Sequence, residues 1–404
     1  MFPGVGSHYT GMGKYFYDNF KVARETFEEA ADTLKIDFEK LCFSSDEKEA
    51  LDKLENSQVA LVCVSIAMFR VYMKEIGITP KYCLGYSLGE LSALCCAGAI
   101  DYSSTLQIVR ERGLIINEIV SKLEGTMAWT INLEQNIVDN ICKSLRKGGE
   151  EVYISAYDSP IKTSISGTLN AVNLACEKVV EEGGISIPIK MSGPFHSPLM
   201  IEASLKFRHI LENYQYKDLK YPVISNSTAL PYSCKDEVVD NLSLQLVKPI
   251  SWDHSINYLV RKGIDRSIEI GPKNVLKYLT ENSTENMVIY SFEKKDELKQ
   301  IENDLIINDR DILKIIGRCL GVAVSTKNHN YNHEAYQEHV VKTYQEILQL
   351  YNRIALSKTK PTLNLLKIAL SKLEILLTYK MVSNEEKSYY LENILGDKSL
   401  VIKN

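Results

Sequence analysis

Ser57-Gln58-Val59-Ala60-Leu61-Val62-Cys63-Val64-Ser65-Ile66-Ala67-Met68 is apolar nearly all round, which predicts a helix buried on every side. The stretches 15–45 and 47–77 place apolar residues at helical spacing. After Gly77 the pattern changes. Pro80-Lys81-Tyr82-Cys83 is short and strand-like, and Leu91–Gly98 consists of small and apolar residues suited to a buried helix. Another helix is predicted over 103–122. Gly125–Ile131 then reads as a strand, 133–146 as a helix, 152–157 and 163–167 as strands turned at Asp158-Ser159-Pro160, 169–182 as a helix and 185–190 as a strand. Strand, helix, strand, strand, helix, strand is the order of a small ferredoxin-like unit inserted in a larger α/β domain.

Further strands are predicted at Tyr221–Asn226, at Ser267–Ile270 and at 288–292, with helices between them. From about 295 Asp, Glu, Lys and Asn dominate briefly. Long helical patterns follow near 310–323, 334–356 and 361–396, with no catalytic motif among them. The predicted organisation is a large α/β domain with a parallel central sheet over 1–123 and 191–295. A ferredoxin-like subdomain lies at 124–190 and a helical C-terminal extension at 296–404.

Composition changes this picture little. The chain has 404 residues, 45% hydrophobic and 25% charged, enough for a large core divided over two or three structural units. A net charge of −5 offers no electrostatic case for nucleic acid. No apolar run approaches the roughly 18 residues of a membrane span, so no membrane association is expected. The opening Met1-Phe2-Pro3-Gly4 is loop-like and carries no signal-peptide pattern. Nine cysteines, many in apolar contexts, read as small buried hydrophobes in a reducing cytoplasm. None is spaced with histidines as zinc ligands are, so neither a metal nor a cofactor is expected.

The chemistry centres on Gly85-Tyr86-Ser87-Leu88-Gly89-Glu90. Gly-x-Ser-x-Gly between a strand and a helix is the nucleophile-elbow pattern. The glycines let strand and helix approach closely, and the turn lifts the Ser87 hydroxyl clear of the backbone. It also places the Leu88 N–H at a helix N-terminus, where an oxyanion can accept from it. The same pentapeptide alone also fits a glycine turn with an incidental serine. A serine needs a base within hydrogen-bond reach. Of seven histidines, His196 stands on a loop constrained between Pro194 and Pro198, and His254, beside Asp253, is its competitor.

Four segments together carry a family resemblance. Phe2-Pro3-Gly4-Val5-Gly6-Ser7-His8, Gly85–Glu90, Pro194-Phe195-His196-Ser197 and Glu269-Ile270-Gly271-Pro272 occur in the order found in malonyl-CoA:acyl-carrier-protein transacylases, which the chain resembles over roughly 1–295. The tail, with Ile316-Gly317-Arg318-Cys319-Leu320 and Thr326-Lys327-Asn328, is similar to extensions on free-standing acyltransferases of trans-acyltransferase polyketide synthases. The resemblance implies Ser87 as nucleophile and His196 as general base. It also implies Arg112 as partner of a malonyl carboxylate, Val5 and Leu88 as oxyanion-hole donors, and a backbone carbonyl at Ser251 orienting the histidine. Implied partners are malonyl-CoA and the acyl carrier protein domains of a polyketide synthase.

The chain departs from the family pattern at several points. Val5 stands where Gln is usual, Tyr86 where His is commoner, Asp158 where Asn is common, and Ser251 where Gln or Arg is usual. The strand usual before Phe2-Pro3-Gly4 is missing. An acyl hydrolase that clears stalled acyl groups from carrier proteins is the alternative activity.

Overall fold

The computed structural model describes residues 1–189, 193–305, 309–356, 359 and 361–395. The expected boundary at 190/191 and the end of the tail lie outside the described residues. Eight strands organise the described chain: β1 Cys83–Leu84, β2 Gly125–Ile131, β3 Val152–Ser159, β4 Lys162–Thr168, β5 Ile185–Ile189, β6 Val223–Ile224, β7 Arg266–Glu269 and β8 Val288–Ser291.

Parallel pairing joins β1 to β6 and β7 to β8. Met1 and Phe2 bridge the two pairs. The Met1 ammonium donates to Ile268 O and the Ile270 N–H donates to Met1 O, while Phe2 N donates to Leu84 O and Tyr86 N to Phe2 O. Two residues thus fill the slot of the strand that is usual ahead of Pro3. The result is a short parallel sheet in the order β6, β1, Met1–Phe2, β7, β8.

The helix Leu54–Glu75 packs its apolar surface into the core, with Val59–Met68 all buried. This corrects the sequence reading of apolar length: over 22 residues the helix is long and apolar enough to cross a membrane, but most of it is buried inside the fold. The stretch 15–45 breaks into three helices, Lys14–Asn19, Lys21–Leu34 and Phe38–Phe43. Phe20 is extended and Lys35 left-handed at the breaks.

Between Gly125 and Ile189 an antiparallel sheet runs β3-β4-β2-β5, with the helices Gln135–Lys147 and Leu169–Glu181 on one face. Their shared core includes Ala128, Val138, Ile154, Ile165, Val172 and Val179. Alternation does this: Ala128 on β2 is buried while its neighbour Trp129 is exposed. β3 is also tied to the segment ahead of Trp252, since Tyr157 N donates to Ile250 O and Ile250 N to Ser155 O.

Two compact units emerge, one of residues 1–74 and 79–297, the other of 75–78 and 298–404. In the second, the helices Asp309–Ser325, Lys342–Ala355, Leu363–Tyr379 and Asn384–Leu395 bury Ile316, Cys319, Ile347, Leu350, Leu373 and Leu377.

Gly85 and Gly89 are where the elbow leaves no room for a side chain. A Cβ on Gly85 would lie 2.0 Å from the Gly89 carbonyl, and one on Gly89 would lie 2.1 Å from Phe2 O. Both obstacles are backbone. Gly89→Ala is therefore expected to lower stability by about 3 kcal/mol or more, the upper range of overpacking. Gly321→Ala, on an exposed helical position with nothing within 4 Å, is expected to raise it by roughly 0.5–1 kcal/mol. Denaturant titration of the two variants checks the opposite signs. A Gly89→Ala protein as stable as the parent would refute this account of the elbow.

Candidate active site

β1 ends at Leu84 and the helix Leu88–Cys96 begins four residues later, so the chain reverses over Gly85-Tyr86-Ser87. Ser87 sits at φ 51°, ψ −108°, a conformation that side chains rarely adopt. Asn226, just past the C-terminal end of β6, holds that turn. Its Oδ1 accepts from the Ser87 N–H at 2.7 Å and its Nδ2 donates to Gly85 O at 2.6 Å. Leu88 opens the helix, so its N–H is one of the first-turn donors with no intrahelical partner. The Pro3–Ser7 loop lies against the elbow, close enough that a Cβ on Gly4 would meet Tyr86 O at 2.6 Å. Val5 is exposed in that turn, and its N–H has no backbone partner among the described residues.

Ser87 Oγ lies 2.9 Å from His196 Nε2. His196 also has a positive φ of 57°, in a loop pinned by Ser197 Oγ donating to Pro194 O. Its Nδ1 is 2.8 Å from Gln245 O. A carbonyl can only accept, so Nδ1 carries the proton and Nε2 is the acceptor for the serine hydroxyl. Burial lowers His196 to about 4, outweighing the hydrogen bond from Nδ1 that works the other way. The imidazole is thus neutral at neutral pH.

The orienting carbonyl belongs to Gln245, which corrects the expectation placed on Ser251. Gln245 ends the helix Glu237–Gln245. The residue four positions on is Pro249, which has no N–H to give it, so the carbonyl stays free for His196. Ser251 is engaged elsewhere. Its N–H donates to Asn226 O, and its carbonyl accepts from Ser255 as the next helix starts. His254 is turned away from this centre, with its ring 5.3 Å edge-on to Tyr157.

Arg112 comes from the helix Tyr102–Val120, which approaches the Leu54–Glu75 helix closely through Gly113, whose Cβ would lie 2.6 Å from Glu55 Cα. That approach brings the guanidinium to Gln58 Oε1 at 2.6 Å, to Ser87 Oγ at 3.3 Å and to Gln245 Oε1 at 3.5 Å. Arg112 is 3% exposed, yet all three partners are neutral, and both its Nε and the Gln58 Nε2 lack a partner. No acid forms an ion pair with it among the described residues. Burial lowers Arg112 to about 10, with Glu90 acting in the opposite sense, so it remains a cation at neutral pH.

Gln58, Asn226, Gln245 and Glu90 were not singled out by sequence reasoning. One signal was available for Gln58: an amide inside an otherwise apolar helix needs a polar partner. Two of the departures from the family pattern meet each other. Tyr86 OH donates to Asp158 Oδ1 at 2.7 Å, and Ser164 Oγ donates to Asp158 Oδ2 at 2.7 Å. This buried contact ties the elbow to β3 and β4.

The fold and the Ser87–His196 pair define an α/β protein with a serine at a strand-to-helix elbow, a neutral histidine within hydrogen-bond reach of it, and a buried cation beside it. The chain belongs to the acyl transferase domain family, whose model matches residues 1–299. It is 33% identical over 359 residues to a malonyl CoA-acyl carrier protein transacylase of Bacillus subtilis, covering 88% of this chain and 89% of that protein. A second, from Bacillus subtilis strain 168, is 39% identical over 280 residues, covering 69% and 88%. Among solved structures, the malonyl CoA-acyl carrier protein transacylase of Clostridium perfringens superposes with a TM-score of 0.72 at 31% identity, covering 75% of this chain and 95% of that one. A malonyl-transacylase in complex with its type II PKS acyl-carrier protein superposes with a TM-score of 0.71 at 31% identity, covering 75% and 98%.

Proposed function

We propose that the chain transfers malonyl groups from coenzyme A to the phosphopantetheine thiol of an acyl carrier protein, in polyketide biosynthesis. Ser87 Oγ attacks the thioester carbonyl and its proton passes to His196 Nε2. The Leu88 and Val5 N–H groups receive the negative oxygen. Collapse breaks the carbon–sulfur bond, and the CoA thiolate leaves with the proton from His196. A malonyl-serine ester remains. The carrier thiol then attacks that ester, gives its proton to His196, and Ser87 Oγ regains it on leaving. His196 alternates as base and acid, which requires the neutral imidazole that burial favours.

The observation that carries this reading is Arg112. A buried guanidinium with only neutral partners is costly unless a ligand completes it, and a carboxylate matches its planar fork. Malonyl supplies a carboxylate and acetyl does not. The names of the relatives support the same substrate pair. The polyketide setting draws on the relative in complex with a type II PKS carrier and on the resemblance of the tail to free-standing acyltransferases.

Mass spectrometry of the intact protein tests the proposal. Malonyl-CoA is expected to leave one malonyl group on the chain far faster than acetyl-CoA leaves an acetyl. Arg112→Ala should lower malonyl loading on the order of 10²-fold, as truncating one partner of a buried charge pair does, and raise acetyl loading relative to it. A parent protein with no malonyl preference that releases acyl groups from a carrier into water would establish the hydrolase instead.

A further inference from the structure

Glu90 lies three residues past Ser87 and is fully buried, yet no step above uses it. Its hydrogen-bond partners among the described residues all donate. Oε1 accepts from Tyr232 OH at 2.6 Å and from the Asn226 N–H at 3.3 Å, and Oε2 accepts from Gln245 Nε2 at 2.5 Å. A ring of donors fits an acceptor-only carboxylate. Burial raises Glu90 to about 7 even with the bonds from Tyr232 and Gln245 working the other way. Arg112 is the cation whose charge it favours without contact, and Tyr232 is its titratable neighbour.

Gln245 joins this carboxylate to the reacting groups. Its Nε2 also donates to Ser87 O at 3.0 Å and lies 3.5 Å from Asn226 Oδ1, so its amine faces three acceptors on one side. That leaves Oε1 as the end facing Arg112, at 3.5 Å. Reversed, the same amide would aim two N–H groups at a guanidinium that already carries five. The Gln245 backbone carbonyl meanwhile holds His196.

We propose that Glu90 is a positioning residue for malonyl recognition: it fixes the Gln245 side-chain amide so that the oxygen faces Arg112 and holds the guanidinium at the serine. The inference rests on the assignment of Arg112 to the malonyl carboxylate. Glu90 touches neither substrate nor base and acts through Gln245. The substitution Glu90→Gln keeps the size of the side chain but opposes Gln245 Nε2 with a second amine. Relief comes by turning the Gln245 amide over, which puts donors against Arg112.

Initial rates of acyl loading with malonyl-CoA and with acetyl-CoA test this in two proteins, the parent and Glu90→Gln. The parent should prefer malonyl. Glu90→Gln should lose roughly 10–100-fold of malonyl loading, the range of a hydrogen bond to a charged group, while acetyl loading stays within about threefold. Denaturant titration of Glu90→Gln accompanies the rates, and the variant should unfold cooperatively as the parent does. Equal losses for both thioesters in Glu90→Gln, or no loss at all, would each overturn the role of Glu90. A parent without malonyl preference would overturn the Arg112 assignment, and the inference with it, and is told apart by the parent's rates alone.

Discussion

Ser87→Ala is expected to leave a folded protein that forms no acyl adduct. The change deletes one oxygen and keeps the Cβ, so the strained turn at φ 51° is as accessible to alanine as to serine. The bonds that hold the turn belong to its backbone, through Asn226 Oδ1, and are retained. What is lost is the hydroxyl placed 2.9 Å from His196 Nε2 and 3.3 Å from the Arg112 guanidinium. Loading should fall by on the order of 10⁶-fold, as it does when a serine nucleophile is removed elsewhere. The measurement is intact mass after incubation with malonyl-CoA, alongside a denaturation curve. An adduct that persists in the variant would place the nucleophile on another residue.

His196→Ala is expected to cut transfer by about 10²–10⁴-fold, the usual loss for a general base. His254→Ala should be mild, because that ring packs on Tyr157. The reverse ranking would move the base to His254. His196 should also betray its burial through its own titration. Followed by ring resonances in NMR, it should gain a proton near pH 4 rather than near its ordinary 6.5. The sign of the linked stability follows. Between about 6.5 and 4 the unfolded chain takes up a proton at this position that the folded chain refuses, so stability falls as pH is lowered through that window. His196→Ala removes that contribution, and the difference between the two proteins' stabilities should shrink on acidification across it.

Much of the site was legible because its signals are local. Gly85-Tyr86-Ser87-Leu88-Gly89 spells a turn whose sterics act over five residues, and the 2.0 Å and 2.1 Å approaches to Gly85 and Gly89 show why nothing larger fits. His196 was marked by the flanking prolines, and it lies at a positive φ of 57°. The two amphipathic helices between Gly125 and Ile189 were readable by period, since one face of each is covered and the other is not, whereas β3 and β4 are buried on both faces.

The assignment of the orienting carbonyl was not legible, because any residue supplies a carbonyl. Which one is free depends on where a helix stops and on Pro249 being unable to donate to Gln245. Nor could pattern show that Tyr86 and Asp158, two separate departures from the family, form one hydrogen-bonded pair.

By itself, then, the sequence determined the elbow, the histidine loop and the order of elements, all set by sterics and periodicity within short windows. Only the tertiary structure decided the polar frame around them. Gln58, Asn226 and Gln245 reach Arg112 or Ser87 across 54, 139 and 158 residues of chain. It also decided that Met1 and Phe2 complete the parallel sheet between β1 and β7. An amide or a backbone N–H has the same chemistry anywhere in a chain. Its role comes from the partner that folding sets within about 3 Å of it, in a site where burial makes each such bond count for more.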